Sequence, residues 1–195
     1  MTRPNEPVLA PPGAGLPAVE LFIGRLLFRG KCAFGSSEAF RSTFVLERKR
    51  IRVMVLSNSK EIASQRVLIP RIRGLEDSSR HWSVWMTLDH LRIVNNAMAA
   101  VITALGRGTV PAGKASTAAV KPSLDVDDSV VAAYEASCDA LMAAVDRVAD
   151  LKNTPRFPHP WFGPLNAFEW VALSAGHLRI HRVQIEQILA RVPRS

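Results

Sequence analysis

Two histidines four residues apart, His177 and His181, lie in a segment near the end of the chain that has helical hydrophobic periodicity. On an α-helix a step of four residues advances about 6 Å and rotates the side chain by only about 40°, so both imidazoles project from one face. Such a pair can bind one divalent metal ion. Trp170, Leu173 and Ile188 recur at helical steps around the pair, which predicts that the histidines lie in or beside a buried stripe.

The same spacing also fits a pair of hydrogen-bonded core histidines. The chain has five histidines, and an H-x-x-x-H pattern arises by chance often enough to be weak evidence alone. A third ligand from another helix would favour the metal-binding interpretation. His90 is the candidate, because it lies in the middle of a second long apolar segment with helical periodicity.

Two further side chains are weaker candidates for the same site. His159, in a proline-rich His-Pro-Trp loop, could act as an acid or base at its mouth, or could simply pack or bond a backbone carbonyl. Gln184, one turn beyond His181, could orient a ligand or contact substrate, or make an ordinary core hydrogen bond. His81 is expected at the surface, because nine residues on a helix turn it away from His90.

Asp89 and Glu169 could accept hydrogen bonds from the ligand imidazoles. Asp89, however, points to a different face from its neighbour on a helix, and Glu169 is predicted to cap a helix together with Asn166. Cys138 lies on the apolar face of a predicted helix and is interpreted as a small core residue rather than a nucleophile.

Four helices are predicted to position these side chains. They begin where Ser, Asp or Asn caps precede apolar periodicity, and they run from Ser36–Ser37 to about Leu56 with a possible extension to Gln65, from Asp77 to Gly106, from Asp127 to Lys152, and from Asn166 onward. No segment shows clean strand alternation. The sequence therefore predicts an all-α fold, a four-helix bundle.

The connection over residues 107–126 is long and lacks periodicity. About 20 residues can span roughly 60 Å when extended, whereas the second predicted helix is only about 40 Å long. The connection could thus recross the whole bundle, so that the second and third helices run parallel. The segment 153–165 holds four prolines, cannot be a helix interior, and is expected to plug one end of the bundle.

Residues 1–36 are predicted to precede the bundle domain of residues 37–195. Residues 1–17 are rich in proline and glycine and are expected to form a flexible arm. The short apolar segment Ala18–Phe28 is expected to dock on the bundle or on a second subunit, which makes a homodimer the expected oligomer. Neither a signal peptide nor a membrane span is predicted.

The net charge is +8, from 25 basic and 17 acidic residues. The basic run Arg48–Arg52 lies on a predicted helix without interleaved aromatic residues, so a solvated helix face is favoured over nucleic-acid binding. Cys32 and Cys138 have no C-x-x-C spacing, which predicts reduced thiols and a cytoplasmic protein.

Two stretches carry a resemblance to a known family. HWSVWMTLDHLRIVNN, from residue 81, and HPWFGPLNAFEWVALSAGHLRIHRVQIEQI, from residue 159, resemble the DinB-like (DinB/YfiT) superfamily, and the likeness extends over residues 37–192. This resemblance implies an up-down-down-up four-helix bundle with the long crossover between helices two and three. It also implies a metal site formed by His90, His177 and His181.

The predicted cofactor is a divalent metal, zinc first, with nickel or iron as alternatives. Three histidines leave a position open, so the resemblance implies activation of a thiol or water by a thiol transferase or hydrolase. The expected partner is a small-molecule substrate of unknown identity, used with a low-molecular-weight thiol. The alternative hypothesis is a non-catalytic metal-binding or oligomerisation bundle.

Overall fold

The computed structural model describes residues 7–193, and this part of the chain is mostly helical. Its helices are α1 (Ala18–Phe34), α2 (Ser37–Leu56), α3 (Lys60–Ser64), α4 (Val84–Gly106), α5 (Val130–Asp146) and α6 (Ala167–Leu189). Its strands are β1 (Val67–Leu68), β2 (His81–Trp82), β3 (Phe157–His159) and β4 (Gly163–Leu165). β1 pairs with β2 and β3 with β4, both antiparallel, with Val67 opposite Trp82 and Pro158 opposite Pro164.

The core lies between four of the helices. α4 is apolar nearly all round and packs against both α5 and α6, while α2 packs against α6. Fully buried side chains come from each of these helices, among them Phe44, Leu88, Leu141 and Leu178. Each contributes about 1.5–3 kcal/mol relative to an exposed side chain. This packing holds α4 and α6 side by side, and these two helices carry the candidate histidines.

Helix starts are set by local side-chain caps. The Ser36 hydroxyl accepts a hydrogen bond from Ala39 N at 3.1 Å at the start of α2. Asn166 and Glu169 form a capping box at the start of α6, since the Asn166 side chain accepts from Glu169 N and the Glu169 carboxylate accepts from Asn166 N. The predicted starts of these two helices are confirmed.

The predicted start of the second helix at Asp77 was wrong. Asp77–Ser79 form a short 3-10 helix, β2 follows it, and α4 begins only at Val84 after a cap from Ser83. The third helix is also shorter than predicted. It runs from Val130 to Asp146 instead of from Asp127 to Lys152. The Asp150 carboxylate accepts from the backbone N–H groups of residues 152 and 153, so that this part of the predicted helix forms a turn. The possible extension of the first helix is the separate helix α3.

The N-terminal segment lies against the body of the protein at two points. Ala10 N donates to Asp77 Oδ2 at 2.8 Å, and Gly13 N donates to Glu76 Oε2 at 3.4 Å. The part of the arm over residues 7–17 is therefore held by the loop before α4, while residues 1–6 lie outside the described residues. The apolar segment predicted over Ala18–Phe28 is the first part of the longer helix α1.

The connection between α4 and α5 returns along α4 towards its start. His90 lies in the second turn of α4, and its ring contacts the backbone of Val120. Ser123 N donates to the carboxylate of the neighbouring Asp89 at 3.0 Å. The connection thus runs from the C-terminal end of α4 back to the candidate site.

None of the helices in residues 7–193 has the length and hydropathy that crossing a membrane requires.

Candidate metal centre

Three histidine rings from two helices meet between α4 and α6. His177 Nε2 lies 3.1 Å from His90 Nε2 and 3.1 Å from His181 Nε2. One ring nitrogen from each of the three lies within 4.8 Å of the others. A tetrahedral zinc ion with Zn–N bonds of about 2.0–2.1 Å separates its nitrogen ligands by roughly 3.3 Å. The observed spacing is close to this value.

A hydrogen bond from Nδ1 to a backbone carbonyl sets the tautomer and orientation of the His90 ring. His90 Nδ1 lies 2.6 Å from Val120 O, and since a carbonyl oxygen only accepts, Nδ1 carries the proton. His90 Nε2 therefore presents a lone pair towards His177 when the ring is neutral.

A hydrogen bond from Nδ1 to the side chain of Gln184 sets the tautomer and orientation of the His181 ring. Gln184 Nε2 donates to Ser79 O at 2.7 Å, which sets the orientation of the amide. Gln184 Oε1 then accepts from His181 Nδ1 at 2.6 Å. His181 Nε2 is left with a lone pair that also points towards His177.

The lone pairs on Nε2 of His90 and of His181 thus both face Nε2 of His177. A neutral His177 can donate at most one hydrogen from Nε2, so it can satisfy only one of His90 and His181. A cation at the point where the three nitrogens converge would accept a lone pair from each ring. The donor set and its orienting hydrogen bonds fit a metal ion.

The electrostatics favour neutral imidazoles. Burial lowers the pKa of His90 to about 4, despite the opposing hydrogen bond to Val120. Burial, followed by the charges of neighbouring imidazoles, also lowers the pKa of His177 and His181 well below the ordinary histidine value. Neutral imidazole is the form that binds a metal, so the three rings are ready as ligands at neutral pH.

The cluster is closed on one side and accessible on another. The Trp82 ring stacks on His181 at a centroid distance of 6.3 Å and lies 5.2 Å from His90, and both histidines are buried. His177 is only half-buried. His177 therefore marks the accessible side of the cluster.

A lysine in the α4–α5 connection supports both orienting carbonyls. Lys121 Nζ donates to the buried carboxylate of Glu76 at 2.7 Å and to the hydroxyl of Ser79 at 3.0 Å. Its chain neighbour Val120 supplies the carbonyl that holds His90, while Ser79 supplies the carbonyl that holds Gln184. Sequence reasoning missed this network, because two of its contacts use backbone atoms that residue type does not reveal.

The weaker candidates separate into one that contacts the cluster and one that does not. Gln184 orients His181, as described. His159 lies on β3, accepts a hydrogen bond from Trp161 N at 3.1 Å, and contacts the Trp170 ring at a centroid distance of 5.5 Å. Burial lowers the pKa of His159 to about 4, and a charge on it would lower the pKa of His177. His159 is thus within electrostatic reach of the three histidines without joining them.

The remaining residues considered in the sequence have other partners. His81 lies on a strand rather than a helix and is half-buried, with Nδ1 3.2 Å from an Arg66 nitrogen. Asp89 accepts from Arg92 as well as from the connection. Burial raises the pKa of the Cys138 thiol to about 12, as expected for a core residue rather than a nucleophile.

The comparisons with known proteins agree with this fold. A model of the DinB superfamily matches residues 54–185, a range that includes all three histidines. Among solved structures, the crystal structure of TT2238, a four-helix bundle protein, is similar with a TM-score of 0.57 and 20% sequence identity. The likeness covers 77% of this chain and 98% of that chain, and at this identity it shows the fold alone. No curated protein sequence matches the chain significantly.

Proposed function

Since the chain belongs to the DinB superfamily, we propose that it is a metal-dependent enzyme whose divalent ion is held by His90, His177 and His181. The supporting observation is the pair of fixed lone pairs on His90 and His181, both directed at His177. Three neutral nitrogen donors suit zinc, with nickel and iron(II) as alternatives.

Three protein ligands leave at least one position open for an outside molecule. When bound, the ion supplies Lewis acidity and activates a thiol or a water molecule by lowering its pKa. The proposed reaction class is therefore thiol transfer or hydrolysis. The substrate is a small molecule, with a low-molecular-weight thiol as the second reactant of the transferase.

The chain's own residues hold the site and direct access to it. Val120 and Gln184 keep two imidazoles in one tautomer and orientation, and Trp82 covers the closed side. Substrate reaches the half-buried edge of His177. Trp170 lies two turns before His177 on the same face of α6, and its buried indole N–H has no partner among the described residues.

Metal content tests the binding part of the proposal. Apoprotein prepared with a chelator and reconstituted with zinc should hold about one ion per chain by elemental analysis and calorimetry. His177→Ala should lose this binding, whereas His81→Ala, which alters a histidine outside the cluster, should keep it. Wild-type protein that binds no zinc, or unchanged affinity in His177→Ala, would contradict the proposal.

Activity is tested separately from binding. The reconstituted protein is assayed with small electrophiles and common cellular thiols, and with activated esters and amides for hydrolysis. Turnover should require metal and disappear in His177→Ala. Stoichiometric zinc without turnover of any of these substrates would favour a non-catalytic metal-binding bundle.

The arrangement of the chain and its location are further parts of the proposal. We propose the up-down-down-up order of α2, α4, α5 and α6, with a crossover between α4 and α5, in a domain of residues 37–195. The return of this connection to His90 supports the crossover.

We also propose a cytoplasmic location, supported by free cysteines on two different helices, Cys32 on α1 and Cys138 on α5.

A further inference from the structure

Helix α1 is held against the body of the protein by one of its faces. The Glu20 carboxylate pairs with Arg71 and accepts from Gly74 N at 2.6 Å. Arg25 Nε donates to Trp161 O at 2.5 Å, and the Phe28 ring lies 4.6 Å from the ring of Phe162. The helix is thus anchored at several points along its length, yet none of its residues is buried.

The opposite face of α1 is apolar and exposed. Its large side chains, with their exposed fractions, are Val19 (72%), Phe22 (70%), Ile23 (49%), Leu26 (63%), Leu27 (68%) and Phe34 (94%). Val19 to Leu27 are spaced by one, three or four residues and Phe34 follows two turns later, so all six lie on one side of the helix, which we call the α1 apolar face. A soluble chain commonly exposes single apolar residues, whereas a contiguous apolar stripe marks an interaction surface.

The size of this face fits a second copy of the chain. The helix is about 25 Å long, and six largely exposed apolar side chains offer on the order of 700 Å². A stable protein interface takes about 800 Å² from each partner, so the α1 apolar face supplies most of one half of a standard interface. A twofold axis would place the same face on both partners, which buries apolar surface against apolar surface.

The polar side of α1 argues against a lipid surface as the occupant. A helix that lies on a membrane needs a free basic face towards the headgroups. Of the three basic side chains of α1, however, Arg25 is bonded to the backbone of Trp161 and Lys31 Nζ lies 5.7 Å from the centroid of the Phe40 ring, so only Arg29 is left to face headgroups. We propose that the α1 apolar face forms the interface of a homodimer.

The dimer also bears on the candidate metal centre. Trp161 and Phe162 lie between β3 and β4, in the same loop region as His159, and both contact α1. A partner helix packed on α1 would hold this region beside the accessible side of the histidines. The dimer itself requires no metal.

Substitution of the α1 apolar face tests the dimer directly. Leu26→Glu and Phe22→Glu are compared with Leu124→Glu, a matched control because Leu124 is 65% exposed and lies in the α4–α5 connection. Light scattering after gel filtration, supported by sedimentation equilibrium, gives the mass. The chain mass is 21.4 kDa, so wild type and Leu124→Glu should have twice this mass, and the two α1 variants should be monomeric with unchanged circular dichroism.

A second measurement does not depend on disrupting the surface. Leu26→Cys should give a covalent dimer with a short bismaleimide, whereas Leu124→Cys should give no more than wild type. Monomeric wild type at concentrations of tens of micromolar, dimeric Leu26→Glu, or no gain in cross-linking for Leu26→Cys would each overturn the proposal. Monomeric wild type that co-sediments with phosphatidylserine-containing vesicles, when Leu26→Glu does not, would overturn it in favour of a lipid surface.

Discussion

Replacing Gln184 with leucine should weaken zinc binding about 10–100-fold, because ligand-orienting hydrogen bonds carry that much affinity. Gln184 is fully buried and joins His181 Nδ1 at 2.6 Å to Ser79 O at 2.7 Å. Leucine nearly preserves the side-chain volume but removes both hydrogen bonds. His181 would then be free to rotate or to change tautomer, and its Nε2 lone pair would no longer be fixed towards the other two rings.

The expected loss corresponds to about 1.4–2.7 kcal/mol of binding free energy, since each tenfold change is about 1.4 kcal/mol. The apoprotein should also lose stability. Ser79 O and His181 Nδ1 are left buried without partners, and each such group costs about 1–3 kcal/mol. Affinity must therefore be measured at a temperature where both apoproteins are fully folded, as checked by circular dichroism.

The assay is competition for zinc against a chromophoric chelator of known affinity. Gln187→Leu is the matched control, because Gln187 lies one turn away on α6 and, within residues 7–193, its side chain bonds only the exposed Arg191. Wild type and Gln187→Leu should compete equally, and Gln184→Leu should compete far less well. Equal affinity in all three proteins would refute the idea that Gln184 orients a metal ligand.

Three other predictions concern the support of the site and its protonation. Lys121→Met should lower the free energy of unfolding, measured by urea titration, by about 3–5 kcal/mol. The substitution removes the ammonium group that pairs with the buried carboxylate of Glu76. A change of less than about 1 kcal/mol would contradict the prediction. The apoprotein should lose stability as the pH falls from about 6.5 to about 4. Folding lowers the pKa of His90 and His159 to about 4, so the unfolded chain binds protons at a higher pH than the folded chain does. A urea concentration at the unfolding midpoint that stays constant across this pH range would contradict the prediction. Cys138 should resist iodoacetamide at pH 8 in the native protein and react after unfolding, because burial raises the pKa of its thiol to about 12. Mass spectrometry of the labelled peptide measures the reaction. Rapid labelling of Cys138 in the native protein would contradict the prediction.

The local parts of the site follow from the sequence. His177 and His181 lie on one face because a single helix with a clear cap at Asn166 carries both. His90 could be paired with them because a helix as apolar as α4 has to be covered by neighbours, and α6 is one of these. Periodicity therefore predicts the helices and the shared face of His177 and His181. The joining of His90 to this pair is implied only by the resemblance to the DinB-like superfamily.

The support of the site does not follow from the sequence in the same way. The carbonyls of Val120 and Ser79 act through backbone atoms, which no residue pattern marks. Ser79 and Ser83 are equally good helix caps by type, so tertiary pairing of β1 with β2 decided where α4 starts. A strand of two residues is too short to show alternation.

The exposure of α1 also lay beyond sequence reasoning. Its apolar length predicted docking on the bundle or on another subunit, and the helix does dock, through contacts such as that between Phe28 and Phe162. Those contacts cover one face only, and the sequence of α1 does not signal which of its faces turns inward.

The return of the α4–α5 connection onto His90 has a kinetic consequence. An ion between the three rings would be released sooner if the His90 imidazole swung away, and the carbonyl of Val120 resists that rotation. Its residence time would then follow how often the connection lifts from α4 by local opening, rather than the strength of the coordinate bonds alone. Amide hydrogen exchange at Ser123, whose N–H is bonded to Asp89, would time that opening directly.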